Sequence, residues 1–180
     1  IVQQQTERGT LVFQNAGSTV QPGFEVRVEG VLWASDSGDW WVNYESAGHY
    51  YPFEFVNYRT VDGVFDGNQL TGVPKTQFYQ QLRFNGIAGL GASFTHQYQS
   101  RLALDDENSV FAQAHHLFNG QFSWTYRWGT RLETKAYVSL ENLSDLNYSL
   151  GYDTNAFGGR FYQPAPKRHA YGGLRMSLSL

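Results

Sequence analysis

Hydrophobic and polar residues take turns along most of this chain. In GFEVRVEGVLW, Phe24, Val26, Val28 and Leu32 fall on one side, with Glu25, Arg27 and Glu29 on the other. GIAGLGASFTHQY sets Ala88, Leu90, Ala92, Phe94 and Tyr98 against Gly89, Gly91, Ser93, Thr95 and Gln97. NGQFSWTYRW, RLETKAYVSLE and the closing YGGLRMSLSL repeat the scheme. Their apolar positions are Phe122, Trp124, Tyr126 and Trp128, then Leu132, Ala136, Val138 and Leu140, then Leu174, Met176, Leu178 and Leu180. No Asp, Glu, Lys or Arg falls on the apolar side of these stretches. Successive strand side chains point to opposite faces, so this period predicts β-strands with one dry face. Nothing convincingly helical interrupts them.

The connections alternate too. Ser35–Gly38, Asn85–Gly86 and Gly129–Thr130 are short, and Asn-Gly between alternating runs is a strong hairpin signal. Arg8–Thr19, Asn57–Val73, Gln99–Ser109 and Ser149–Gln163 are long. Short and long connections in turn predict an all-β, antiparallel up-and-down barrel of about eight strands, the first short and truncated. All tight turns fall at one end and all long loops at the other.

Periodicity alone leaves the direction of the dry face open. A soluble carrier barrel turns it inward around a greasy ligand. A transmembrane barrel turns it outward to lipid and keeps a polar interior. Strands of about ten residues suit a tilted membrane crossing. Aromatics gather near the strand ends, where rings prefer the headgroup level. Trp33, Trp40, Trp41, Phe84 and Trp128 lie by the short turns, and Tyr50, Tyr51, Phe53, Phe55, Tyr98, Phe111 and Tyr148 lie nearer the long loops. The polar face mixes both signs of charge with Gly and Ser. Arg27, Glu29, Arg131, Glu133, Lys135, Glu141 and Arg175 are placed there to form cross-strand ion pairs. These features favour lipid. On that orientation Val138→Asp is expected to block assembly and Ser139→Asp to be tolerated.

Composition narrows the rest. Charged residues make up 16% of the chain, below the usual share of about 25%, as an uncharged face requires. A net charge of −3 leaves no electrostatic footprint for nucleic acid. Absence of cysteine excludes disulfides and thiolate metal sites. No apolar run approaches the roughly 18 residues of a membrane helix. The chain opens on Ile1 with no signal peptide, which suggests a processed chain or an excised piece.

Enzymatic motifs are missing: there is no Gly-x-Ser-x-Gly elbow and no phosphate loop. Asp62, Asp66 and Gly67 echo a calcium loop, but Val64 and Val73 stand where ligands are needed. Asp105–Asn108 (DDEN) reads as a solvated loop tip. Neighbouring His115 and His116 point to opposite faces and cannot share one ion. Parity with Phe122 and Trp124 sends His116 outward and His115 inward. Neither a metal nor a cofactor is expected, and no catalytic residue.

Several stretches together resemble TonB-dependent outer-membrane receptors, which import scarce nutrients such as ferric siderophores. They are ENLSDLNY (Glu141–Tyr148), GGRFYQPAPKR (Gly158–Arg168) and the closing alternating strand, with QNAGSTVQPGFEVRVEG and GNQLTGVPKTQF upstream. Ser144 replaces the family's usual Phe, and Leu180 its terminal aromatic. The resemblance implies a barrel of about 22 strands filled by a plug domain. Residues 1–180 would then be the C-terminal segment of that barrel, without plug or TonB-contacting segment. It further implies a bacterial outer-membrane location, with membrane lipid, lipopolysaccharide, the TonB complex and an iron-siderophore as partners. Tyr152, Phe157, Phe161 and Tyr162 become the aromatic candidates for ligand contact. Arg168, with Lys167, is a candidate for ligand carboxylates or lipopolysaccharide phosphate. A self-contained structural or adhesive outer-membrane barrel remains an alternative, as does a soluble lipocalin-like carrier, whose Gly-x-Trp signature Gly38-Asp39-Trp40 echoes.

Overall fold

A computed structural model describes residues 2–5, 11–14, 17–60 and 63–179. Asp62, Leu180 and parts of the first long connection lie outside the described residues, with the readings placed on them. In chain order the strands are β1 (Val2–Gln5), β2 (Leu11–Gln14), β3 (Ser18–Val20), β4 (Phe24–Ala34), β5 (Trp41–Tyr50), β6 (Glu54–Val56), β7 (Thr76–Asn85) and β8 (Leu90–Gln99). They continue as β9 (Leu102–Ala103), β10 (Phe111–Ala112), β11 (His115–Trp128), β12 (Leu132–Glu141), β13 (Ser149–Tyr152), β14 (Tyr162–Pro164) and β15 (His169–Leu178). The long strands form one seven-stranded sheet in the order β15-β12-β11-β8-β7-β5-β4. Every pairing in it is antiparallel, so the sheet is an up-and-down meander. Among the described residues β4 and β15 are its two edges, and the barrel does not close. The short first strand appears as β1, and β2, which pairs with it outside this sheet, lies where the long connection Arg8–Thr19 was expected.

The register carries the alternation across all seven strands. One row runs Tyr44, Leu82, Phe94, Gly120, Leu140, Ala170; the next inward row runs Glu45, Gln81, Thr95. Among the described residues no second layer covers the apolar face. Phe122, Val138, Leu174 and Met176 are 62%, 52%, 73% and 71% exposed, far more apolar surface than a soluble monomer leaves open. The recesses lie on the opposite, polar face, so that face is the concave one. A soluble carrier needs the reverse curvature. The wall therefore has the curvature of a membrane barrel, which turns its apolar face outward.

Buried apolar clusters sit in the loops instead. Leu102, Leu104, Ala112 and Phe161 form one, and Phe55, Tyr58 and Phe65 the other. Phe55, placed in the rim aromatics by sequence, belongs to the second of these. At the tight-turn end Trp40 stacks on Phe84 at 5.2 Å, and Trp124, Tyr126 and Trp128 contact one another in series. Trp124 donates its indole N–H to the Ala88 carbonyl at 2.8 Å, and Trp128 to Thr134 Oγ1 at 3.1 Å.

Four local expectations change. A bulge between Val31 and Trp33 brings Trp33 opposite Val42, so Trp33 rather than Leu32 takes the apolar face. Trp41 follows the parity of Asn43 and lines an inward recess instead of the aromatic rim. Ala88 is not in a strand: it sits at φ +56° in a short 3-10 turn, Ile87–Gly89. The Asn-Gly hairpin is widened accordingly. Ser139 is only 1% exposed and accepts a 2.8 Å bond from Gln121, so its replacement by Asp is not the harmless change expected.

Candidate ligand-binding recess on the inward face

Where the inward side chains of β4, β5, β7, β8 and β11 approach the long-loop end, they line a recess of about 800 Å³. Glu25, Arg27, His49, Gln77, Tyr79, Gln97, Gln99 and His115 contribute to it. Their alternation with outward apolar residues is what gathers them on one face. Arg27 is held by Glu29 at 2.9 Å on its own strand and by Glu45 at 3.1 Å across to β5. It is the only lysine or arginine among the lining residues, and both neighbours are carboxylates. Of the residues expected to pair across strands, Arg27 does so with Glu45 and Glu133 with Arg127 at 2.9 Å, two partners the expectation did not include.

A ladder of rings rises from the recess. His49 stacks on Tyr51 at 4.1 Å and 16°, and Tyr51 on Phe53 at 4.9 Å and 20°. The Tyr51 hydroxyl donates to the Glu25 carboxylate. That bond is the main reason the phenol is pushed above its ordinary value of 10.0, with burial and the Glu25 charge adding to it. Beside the ladder, Gln77 Nε2 donates to Gln99 Oε1 at 2.7 Å, while the buried Gln99 Nε2 meets no acceptor at hydrogen-bonding geometry. The Tyr152 hydroxyl interacts with this same Gln99 side chain, which links the last long loop to the recess. Burial first, then neighbouring Tyr162, raises the Tyr152 phenol; Gln99 works in the opposite sense.

The other sequence candidates fall in different settings. Tyr152 and Tyr162 face each other across the β13–β14 hairpin, 5.9 Å apart and edge-on. Phe161 is buried in the loop cluster with Leu102, Leu104 and Ala112, and Tyr152 packs against that cluster. Phe157 is 98% exposed at a tip where Gly158 and Gly159 hold φ +71° and +73°. Arg168 stands apart: its backbone N–H donates to Asp145 Oδ1 at 3.0 Å and its guanidinium reaches the Leu143 carbonyl at 3.5 Å. Sequence reasoning missed the ladder and the glutamine pair. The signal was available, since His49 shares the inward parity of Glu45, and Gln77 and Gln99 each close such a run.

Asp105–Asn108 proves to be the knot of the long loops rather than a solvated tip. Asp106 accepts from Tyr58 Oη at 2.8 Å and Thr71 Oγ1 at 2.5 Å, and its backbone carbonyl accepts from Asn68 Nδ2 at 2.8 Å. Its backbone N–H donates to Asn155 Oδ1 at 3.0 Å. Asn108 exchanges bonds with the backbone of Gln69 at 2.7 and 3.0 Å. One short segment thereby ties together three of the long loops, those after residues 57, 99 and 149.

No protein-family model matches the chain. Among solved structures it is similar to the siderophore receptor PiuA from Acinetobacter baumannii, with a TM-score of 0.69 over 97% of the chain at 18% identity. It is also similar to the ferric yersiniabactin uptake receptor FyuA from Yersinia pestis, with a TM-score of 0.65 over 94% of the chain at 19% identity. The chain shares the barrel-wall fold of these two structures. The chain spans 24% of the length of each receptor. In that fold the seven strands correspond to a sector of barrel wall.

Proposed function

We propose that residues 1–180 are the C-terminal barrel segment of a TonB-dependent receptor in the bacterial outer membrane, a protein that takes up a ferric siderophore without catalysing a reaction. The observation that carries this reading is the concave polar face, with its aromatic ladder and amide pair beneath interlocked loops. The plug and the TonB-contacting segment belong to the remainder of such a protein. Tyr51 and Phe53 offer ring faces, Gln77 and Gln99 offer paired amides, and Tyr152 reaches Gln99 from the loop. Phe157 and Tyr162 are exposed where an arriving ligand meets the loops first. Phe161 supports them from the loop core, and Arg168 is the cation at the base of the last loop. Because Arg27 is already shared by two carboxylates, this sector fits a chelate that presents a neutral or cationic side.

Growth of a gene-deletion strain under iron limitation tests the reading, with ferric hydroxamate, catecholate and phenolate siderophores supplied singly. One of these, a hydroxamate before a polyanionic catecholate, is expected to depend on the gene and on TonB. Tyr51→Leu is expected to weaken its binding about threefold to tenfold, the worth of one aromatic contact. Growth on every chelate independent of both genes would end the proposal.

A further inference from the structure

The middle of the inward recess holds hydrogen-bonding groups that the wall itself does not use. Tyr79 and Gln97 stand directly opposite each other on β7 and β8, and both line it. Neither the Tyr79 hydroxyl nor the Gln97 amide has a partner among the described residues. Their neighbours in the same row are small or apolar. Ala47 lies opposite Tyr79 on β5, and Leu117 lies opposite Gln97 on β11. One row nearer the long loops, Gln77 and Gln99 are bonded to each other, and Glu25 stands in that row on β4.

Donors and acceptors are mixed here at short range. A glutamine amide brings two N–H donors and a carbonyl acceptor, a phenol brings one O–H and lone pairs, and a carboxylate only accepts. Glu25 accepts from Tyr51 and has lone pairs to spare. A metal-bound chelate oxygen accepts only, so it cannot use Glu25 or the amide carbonyls. An ammonium donates only, so it leaves the amide N–H groups without acceptors. A hydroxyl does both, and neighbouring hydroxyls on one saturated ring do so in pairs. The C–H faces of such a ring are apolar, which suits the Ala47 and Leu117 positions beside the polar pair. From Glu25 to Gln99 the row crosses three strand spacings, about 14 Å. The recess of about 800 Å³ thus has room for more than one ring.

We infer that the recess binds a neutral polyhydroxylated ring, a sugar, through Tyr79 and Gln97, with Glu25 accepting from its hydroxyls. Charged sugars are disfavoured, because Arg27 is taken by Glu29 and Glu45 and no other lysine or arginine lines the recess. The inference rests on the uptake reading for the recess being the ligand site, but it does not require that the ligand carry iron. The sugar is either the cargo itself or a glycosyl group on a chelate.

The whole protein, purified in mild detergent, is tested on an array of neutral and acidic oligosaccharides, then by calorimetry with the one it retains best. Retention of a neutral, iron-free oligosaccharide supports the site and makes the sugar the cargo. Tyr79→Phe and Gln97→Leu, at positions open to the recess, are each expected to weaken that binding about threefold to tenfold at an unchanged melting temperature, the worth of one hydrogen bond. A second arm compares a ferric trihydroxamate carrying a glucosyl group with the same chelate lacking it. Preference for the glucosylated form, lost in Tyr79→Phe, supports the site and assigns the sugar to the chelate. The inference is overturned if no neutral oligosaccharide is retained and the two chelates bind alike, if acidic sugars are preferred, or if neither substitution changes binding. Equal binding of the two chelates leaves the uptake reading standing. Growth on every chelate independent of the gene removes that reading whatever the array shows, so the two fail separately.

Discussion

Tyr51 shows how one contact couples a site's chemistry to pH. Its hydroxyl donates to the Glu25 carboxylate, and ionising it would set two anions side by side. The neutral phenol is favoured, so the folded protein holds the proton more tightly than the unfolded chain does. Stability from this bond is complete below about pH 10 and is lost as the pH rises through the raised value. Alkaline absorbance titration of wild type minus Tyr51→Phe should show one late-ionising phenol, and Glu25→Gln should return it toward the ordinary range. At the opposite end of the wall, Gly86 is set by space rather than by backbone angle. A Cβ there would fall 1.9 Å from Cζ3 of Trp40, whose ring stacks on Phe84. Gly86→Ala should therefore dislodge the indole and cost about 1–3 kcal/mol, read as a red-shifted tryptophan emission and a lower melting temperature.

Among the elements, strands and loops were legible to different degrees, for a physical reason. A strand with one dry face writes its period into every second residue, so the runs around Phe24, Leu90, Phe122, Leu132 and Leu174 were readable directly. The bulge at Val31–Trp33 was not, because one inserted residue shifts parity without changing composition. The loops were opaque since their order comes from side chains far apart in sequence. Asp106 bonds to Tyr58, Thr71 and Asn155, and nothing in DDEN distinguishes such a knot from a wet tip. The same limit hid the recess: its parity was visible, but the pairing of Gln77 with Gln99 and the reach of Tyr152 to Gln99 depend on strand neighbours. Asp106→Ala should remove the acceptor shared by the Tyr58 and Thr71 hydroxyls and cost roughly 2–3 kcal/mol of loop stability. Hydrogen exchange should then lose protection around residues 68–72 and 102–112 while β7, β8 and β11 keep theirs, and Asp106→Asn should do less.

For the molecule as a whole, the decisive asymmetry is between a convex apolar face, uncovered among the described residues, and a concave polar face lined by ion pairs and amides. Water and hydrocarbon impose opposite demands on them, and a single buried charge tells them apart. Leu174 lies on the convex face, paired with Ala136, while Ser177 lies on the concave face opposite Glu133. Leu174→Lys should cost about 2–4 kcal/mol if its side chain meets the middle of a bilayer. Ser177→Lys places the same ammonium beside a carboxylate at an aqueous surface and should cost less than about 1 kcal/mol. Reversible unfolding of the two variants of the whole protein in lipid vesicles measures the difference. Equal costs would mean that both faces see the same medium, and a larger cost at Ser177 would turn the wall inside out.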